Sequence, residues 1–267
     1  MKNVGFIGVG YMGYGIAKNI LDKGNNLFVI ANKNRKPIDR IVSKGAVEVK
    51  TLEEFKEKQL NILVKCVTNT PIAKEIATKL SGILDKETLI IDITTHNKSG
   101  SIETEKIYQS KNINYIECPV MGGPVQAEEG VLGGIVGATD DNFKIAEPFL
   151  KLFCKNYFHF GPVGMGAKSK LLNNFLTLGN AALINHMAKA AKKFNLDLQK
   201  LFDVAKLGSG NSAALIRVFD ALLKGDSTGF KFTASNSVKD LTYIQDLLND
   251  FPEAEKIAED NKNYFQK

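Results

Sequence analysis

Residues 164–174 read GMGAKSKLLNN: two lysines two positions apart, then two adjacent asparagines, at the mouth of a long apolar run. On a helix Lys170 and Asn174 share a face, and Asn173 lies close to it. Lys168 points elsewhere and reads as a solvated cation of the first turn. A lysine with an amide neighbour on one face is a usable site. Its ammonium can give a proton to an oxygen and stabilise the negative charge developing there.

A second constellation stands at the start of the chain. GVGYMG carries Gly8, Gly10 and Gly13 around Tyr11 and Met12, after one apolar run and before a helical one. In that setting the pattern predicts a dinucleotide-binding loop. Gly8 permits a tight turn, Gly10 lets the backbone approach a pyrophosphate, and Gly13 lets helix pack on strand. The helix N-terminus then offers amides to phosphate. About twenty residues further on, an NAD site carries an acid for the ribose 2′-hydroxyl. This chain has Asn32, Lys33, Asn34 and Arg35. With no carboxylate to repel a 2′-phosphate, NADP is the expected cofactor and NAD the alternative; Lys33 and Arg35 also read as ordinary solvated charges. Two further runs, CVTN and ITTHN, end in small polar residues, so Val67, Thr68 and Thr95 are expected to line the ribose and nicotinamide.

These residues need elements to position them. Near-continuous apolar runs at 3–9, 27–31, 61–67, 88–93, 114–120 and 133–138 predict strands covered on both faces. Amphipathic segments such as 72–80 and 101–109 alternate with them, which predicts a doubly wound parallel sheet. From about Gly161 the texture becomes helical. One long helix is expected over 168–194, with loops at 208–211 and 224–229. The fold class is α/β: a Rossmann-type domain over 1–162, a long linking helix, and an all-α C-terminal domain over 163–267 for substrate and oligomerisation.

Composition excludes other classes. Apolar residues make up 44% and charged residues 24% of 267, an ordinary globular balance with no run long enough to span a membrane. The N-terminal stretch is broken by glycines and has no small-residue cleavage site, so no signal peptide is expected. Cys66, Cys118 and Cys154 are far apart in apolar surroundings, as for free thiols in a reducing cytoplasm. The three histidines show no metal-ligand spacing, so no metal is expected. Net charge is +6, yet the lysines are evenly spread without aromatic-basic repeats. An anionic cofactor or substrate fits that charge better than nucleic acid.

GFIGVGYMGYGIAKNIL, IDITT, ECPVMGGPVQAEEGVLGGIVGA, GPVGMGAKSKLLNN and VKDL occur in this order. Together they resemble the β-hydroxyacid dehydrogenases, which include 3-hydroxyisobutyrate dehydrogenase and the glyoxylate and succinic semialdehyde reductases. The resemblance runs from Val4 to about Leu241. It implies hydride transfer between a nicotinamide cofactor and a short 3-hydroxy acid or aldehyde acid. It places the catalytic lysine at Lys170 and its supporting asparagine at Asn174. The substrate-gripping segment, usually Ser-Gly-Gly, falls on Met121, Gly122 and Gly123, whose glycine amides would meet a substrate carboxylate. The late lysine and aspartate, near cofactor and substrate, correspond to Lys239 and Asp240. Burial of Lys170 beside an apolar helix would bring its pKa from about 10.4 toward 7–8, where proton transfer works in both directions.

Two departures bear on the substrate. Met121 cannot donate a hydroxyl hydrogen bond, so either backbone amides hold a carboxylate or the substrate is more apolar. The sequence also ends without the family's closing glycine-containing segment. An imine-reducing enzyme of the same architecture is a second reading, opposed by Lys170 and favoured by Met121. A noncatalytic NADP-binding module is a third, opposed by the joint presence of Lys170, Asn174, Gly122, Gly123 and Lys239. The long apolar helix predicts a homo-oligomer, dimer or tetramer.

Overall fold

The computed structural model describes residues 1–225 and 233–266, so part of the loop expected at 224–229 lies outside the described residues. The chain forms two compact units, Met1–Lys170 and Leu171–Lys267. Their division falls within the long helix, eight residues beyond the expected boundary at 162.

In the first unit the main sheet is built of β1 (Asn3–Ile7), β2 (Asn26–Ile30), β3 (Val47–Val49), β4 (Ile62–Lys65), β5 (Leu89–Asp92) and β6 (Asn114–Glu117), all but β3 arising from the expected apolar runs. They pair in parallel in the order β3-β2-β1-β4-β5-β6. This is the Rossmann arrangement, with its topological switch between β1 and β4. Helices α1 (Gly13–Asp22), α2 (Lys36–Val42), α3 (Thr70–Leu80) and α4 (Gly100–Gln109) alternate with the strands. Period-two alternation splits the side chains between two cores. Val4, Phe6, Ile62, Val64, Leu89 and Ile91 enter one, and Ile7, Leu63, Ile90 and Tyr115 the other.

The sequence pattern misplaced two strands and missed two more. The run 114–120 is not one strand: β6 ends at Glu117, and after Pro119, which has no amide for a ladder, β7 (Val120–Met121) joins a second sheet. After α5 (Pro124–Glu129), β8 (Leu132–Val136) follows in that sheet, antiparallel to β7. The chain continues through α6 (Asp140–Leu150) to β9 (Cys154–His159), which pairs in parallel with β8. β3 is three residues long and β9 is half exposed. Neither carries the continuous apolar run that marks a doubly covered strand.

α7 (Met165–Lys193) begins three residues earlier than expected. Its start is anchored by Glu117 Oε1, which accepts from Gly164 N at 2.6 Å and Gly166 N at 2.9 Å. A Cβ on Gly137 would meet that oxygen at 2.2 Å, and one on Gly166 would meet Gly137 N at 2.9 Å. The GMG segment is therefore a close-packed joint around a buried carboxyl, whose pKa burial pushes up.

The second unit is helical. Leu171 and Leu178 pack with Leu241, Ile244 and Leu248 of α10 (Ala234–Leu247 and its cap) and with Ala258 of α11 (Pro252–Gln266), while Ala181 and Ile184 pack with Phe202, Leu215, Val218 and Phe219 of the intervening helices α8 (Leu198–Leu207) and α9 (Ala213–Leu223). No helix among the described residues is long and apolar enough to cross a membrane.

Removing the Glu117 acceptor leaves two amides unpaired. Glu117→Ala is expected to lower unfolding free energy by about 2–5 kcal/mol, read from urea midpoints. Glu117→Gln keeps an acceptor oxygen and should recover most of that loss.

Candidate cofactor cradle and active site

The glycine loop has the geometry a pyrophosphate needs. Gly8 sits at φ +95°, and a Cβ there would meet Cys66 O at 2.0 Å. A Cβ on Gly13 would meet Gly8 O at 2.1 Å and the Phe6 ring at 3.0 Å, so helix and strand touch through it. Around Gly10 the nearest atom to a Cβ is 4.0 Å away, which leaves the loop open on that side. α1 has no capping side chain and no acid in its first turn, so its N-terminus suits an anion. Tyr11 is exposed and Met12 half-buried. Val67 and Thr95 are half-buried and Thr68 exposed, on the loops that leave β4 and β5.

The segment after β2 is more internally engaged than its sequence suggests. Arg35 is held by Glu48 through both Nη1 and Nη2 at 3.0 Å, and by Asp39 at 2.9 Å. Hydrogen bonds to Glu48 and then Asp39 push the guanidinium pKa up, and the same pairing brings Glu48 down to about 2. Asn34 Oδ1 accepts from Lys36 N. Asn32 and Lys33 are exposed, without a partner among the described residues.

Lys170 is buried, 7% exposed, near the start of α7. Its ammonium donates to Val120 O at 2.8 Å and lies 3.2 Å from Met121 Sδ. The structure thus brings Lys170 and Met121 together. Gly122 takes φ +118°, with a Cβ excluded by Leu132 at 2.9 Å. Gly123 N already donates to Gln126 Oε1 at 2.9 Å, which occupies one of the two amides expected for a carboxylate. Lys168 is half-exposed. In the second unit Asn174, 4% exposed, donates to Asp240 Oδ2 at 2.7 Å, and Lys239 Nζ lies 3.0 Å from Asp240 Oδ1. These three predicted residues form one polar chain.

Comparison with known proteins fits this geometry. The profile of the NAD binding domain of 6-phosphogluconate dehydrogenase matches residues 3–161, and that of the NAD-binding domain of NADP-dependent 3-hydroxyisobutyrate dehydrogenase matches 164–265. The chain belongs to the β-hydroxyacid dehydrogenase family. A probable mitochondrial 3-hydroxyisobutyrate dehydrogenase of Dictyostelium discoideum is 31% identical over 209 residues, 77% of this chain and 63% of that protein. The 3-hydroxyisobutyrate dehydrogenase ygbJ of Salmonella typhimurium shares the fold at TM-score 0.88 and 22% identity, covering 98% of this chain and 92% of that one. A solved structure described as Psf3 in complex with NADP+ and 2-OPP shares it at TM-score 0.83 and 22% identity, covering 98% and 99%.

Beneath the cradle of this family member lies a polar cluster that sequence reasoning passed over. Lys65 closes β4 and Asp92 closes β5; they are register partners, both fully buried, with Nζ 2.9 Å from Oδ2. The same Oδ2 receives His96 Nε2 at 2.9 Å and Tyr115 OH at 3.0 Å. Lys65 also donates to Ala73 O, and Thr70 Oγ1 lies 3.2 Å from His96 Nδ1. Burial alone would raise the Asp92 pKa, but the facing Lys65 and His96 hold it well below the usual carboxylate range. For Lys65 burial dominates and lowers the pKa. The signal was present: a lone lysine in NILVKCV demands a buried carboxylate, and the D of IDITT is the one in register. The cysteines are free, with burial pushing the Cys66 thiol up to about 12, which suppresses its nucleophilic form.

Asp92→Asn leaves Lys65 uncompensated and should cost about 3–5 kcal/mol near neutrality. Because the folded pKa of Asp92 is depressed, its contribution is full above the unfolded carboxylate value of about 3.9 and is lost as pH falls further. Denaturant midpoints from pH 7 to 2 should therefore show the gap between wild type and variant narrowing below about pH 4.

Proposed function

We propose that this protein is an NADP(H)-dependent oxidoreductase acting on a small aldehyde acid, keto acid or 3-hydroxy acid, with Lys170 as its general acid and base. The observation that carries this reading is the buried Lys170 ammonium, oriented by Val120 O within a family of nicotinamide-dependent dehydrogenases. Bound reduced nicotinamide supplies a hydride to the substrate carbonyl carbon. Lys170 gives its proton to the carbonyl oxygen and stabilises the alkoxide as it forms. In oxidation it takes that proton back. Asn174, four residues along the same helix, is assigned to holding the substrate oxygen, with Asp240 and Lys239 fixing its amide.

The preference for NADP rests on charge. Arg35 pairs with Asp39 and Glu48 and Lys50 with Glu48, while the sequence adds Lys33 and Lys36 to the same segment, so cations outnumber carboxylates there. Arg35 is taken by its carboxylates, so Lys33 is the cation assigned to the 2′-phosphate. The NADP+ complex of a fold relative is consistent with that choice. Carboxylate recognition would draw mainly on Gly122, since Gly123 N is engaged. Met121 favours a second reading, an imine-reducing enzyme, because a thioether stands beside Lys170 where a hydroxyl is expected. Exposed Leu172, Leu176 and Leu183 on α7 support self-association, and three free thiols suit a reducing compartment such as the cytoplasm.

The deciding experiment follows NADPH and NADH oxidation with glyoxylate, succinic semialdehyde, methylmalonate semialdehyde and a cyclic imine. An aldehyde acid should be reduced with NADPH; oxidation only with the imine would support the second reading. Lys170→Ala is expected to lower kcat by about 100- to 10,000-fold while NADPH affinity holds. Lys33→Glu should move the NADPH-to-NADH affinity ratio about tenfold toward NADH, the equivalent of one ion pair of about 1.4 kcal/mol.

A further inference from the structure

Asp92 has a second oxygen, and it leads out of the buried cluster. Oδ1 accepts from Thr94 N at 3.0 Å, and Thr94 Oγ1 accepts from Val67 N at 3.3 Å. Thr94 is 1% exposed, so its hydroxyl serves the interior. Val67 belongs to the loop after β4, whose preceding residue is the one Gly8 leans on: Cys66 N donates to Ile7 O at 2.9 Å, and Cys66 O borders the Gly8 turn. Asn97 N donates to Thr70 Oγ1 and Asn69 caps α3, so both loops are also tied on their far side.

We propose that Thr94 is a positioning residue for the nicotinamide cofactor, linking the Lys65–Asp92–His96 cluster to the Val67 backbone and thereby setting the loops after β4 and β5 against the glycine turn. This rests on the reading of the cradle as a dinucleotide site. The cluster fixes Asp92 from one side through Lys65, His96 and Tyr115. Thr94 then holds the one Val67 amide that faces it. Without the hydroxyl that amide is left unpaired in a half-buried place, and the loop gains by turning toward water. The cradle would lose its shape on the side where Val67, Thr68 and Thr95 stand, while the sheet beneath keeps its ion pair.

Dissociation constants for NADPH and NADH are measured by titrating the full chain, freed of nucleotide, as wild type, Thr94→Val and Thr94→Ser, with thermal midpoints recorded beside them. Thr94→Val keeps the shape and removes the acceptor; it should weaken both nucleotides by about 5- to 50-fold, raising KM for the cofactor more than it lowers kcat. Thr94→Ser restores the hydroxyl and should lie within about twofold of wild type. Should Thr94→Val not fold, Thr94→Cys, a weak acceptor of similar size, is read against the same limits. Nucleotide affinity within twofold of wild type for the Val variant, even with a lowered midpoint, makes the hydroxyl merely structural and overturns the proposal. Equal weakening by Ser and Val overturns it as well. If wild type binds neither nucleotide, the cofactor reading itself fails and takes the proposal with it; binding by wild type with an unaffected Val variant defeats the positioning role alone.

Discussion

The ion pair between Lys65 and Asp92 sets the terms for the first unit. Two charges at the ends of adjacent central strands, fully buried, are expensive to desolvate and give little net stability over an apolar pair. They are tolerable because both charges are also hydrogen-bonded by polar groups: Ala73 O accepts from the lysine, and His96, Tyr115 and Thr94 N meet the carboxylate. Such a cluster admits few alternatives. A one-residue slip between β4 and β5 would send Lys65 and Asp92 to opposite faces of the sheet and strand both charges. The pair therefore specifies register more than it adds stability, and it does so at the edge where the ligand loops begin.

The same logic recurs at α7. Glu117, at the end of β6, accepts two backbone amides from the segment leading into the helix. Gly137 and Gly166 are glycines because any side chain there would collide with the carboxyl or the strand beside it. In both places a strand-end carboxylate turns loose backbone into a fixed joint. The partners differ, and so does the protonation tendency: at Asp92 burial is outweighed by the facing Lys65 and His96, which drive the pKa down, whereas at Glu117 burial dominates and drives it up.

How much of this was legible in sequence follows from what each signal reports. Apolar runs and the glycine spacing revealed the Rossmann strands β1, β2, β4, β5 and the start of β6, because doubly covered strands announce themselves by composition, while the three-residue edge strand β3 did not. The second sheet was legible only in part: β8 was expected as a strand of the parallel sheet, but β7 is two residues and β9 is half exposed with a single buried position, patterns shared by many loops. Lys170 and Asn174 were singled out by helical spacing and by resemblance, and the structure buries both. Lys65 was recoverable in principle, since a charge inside an apolar strand requires a partner, but His96 and Thr94 needed three-dimensional adjacency. The internal capture of Gly123 N by Gln126 and of Arg35 by Glu48 could not be read from residue types, which show what a group can bond but not what it does bond.

That second sheet, only partly legible in the pattern, carries the carbonyl that Lys170 donates to. Val120, whose carbonyl receives the ammonium, pairs with Gly134 of β8, and β8 is braced in turn by β9. A backbone carbonyl fixed in a ladder is a poor hinge and a good anchor. Val120 O and Met121 Sδ are both uncharged acceptors for the ammonium. A carboxylate in either place would bind the proton's owner more tightly and compete with a substrate oxygen for the same donor. The thioether is the softer of the two acceptors and the easier to displace. In the proposed reaction, a substrate oxygen arriving at Nζ would displace the sulfur at small cost while Val120 O keeps the lysine aimed.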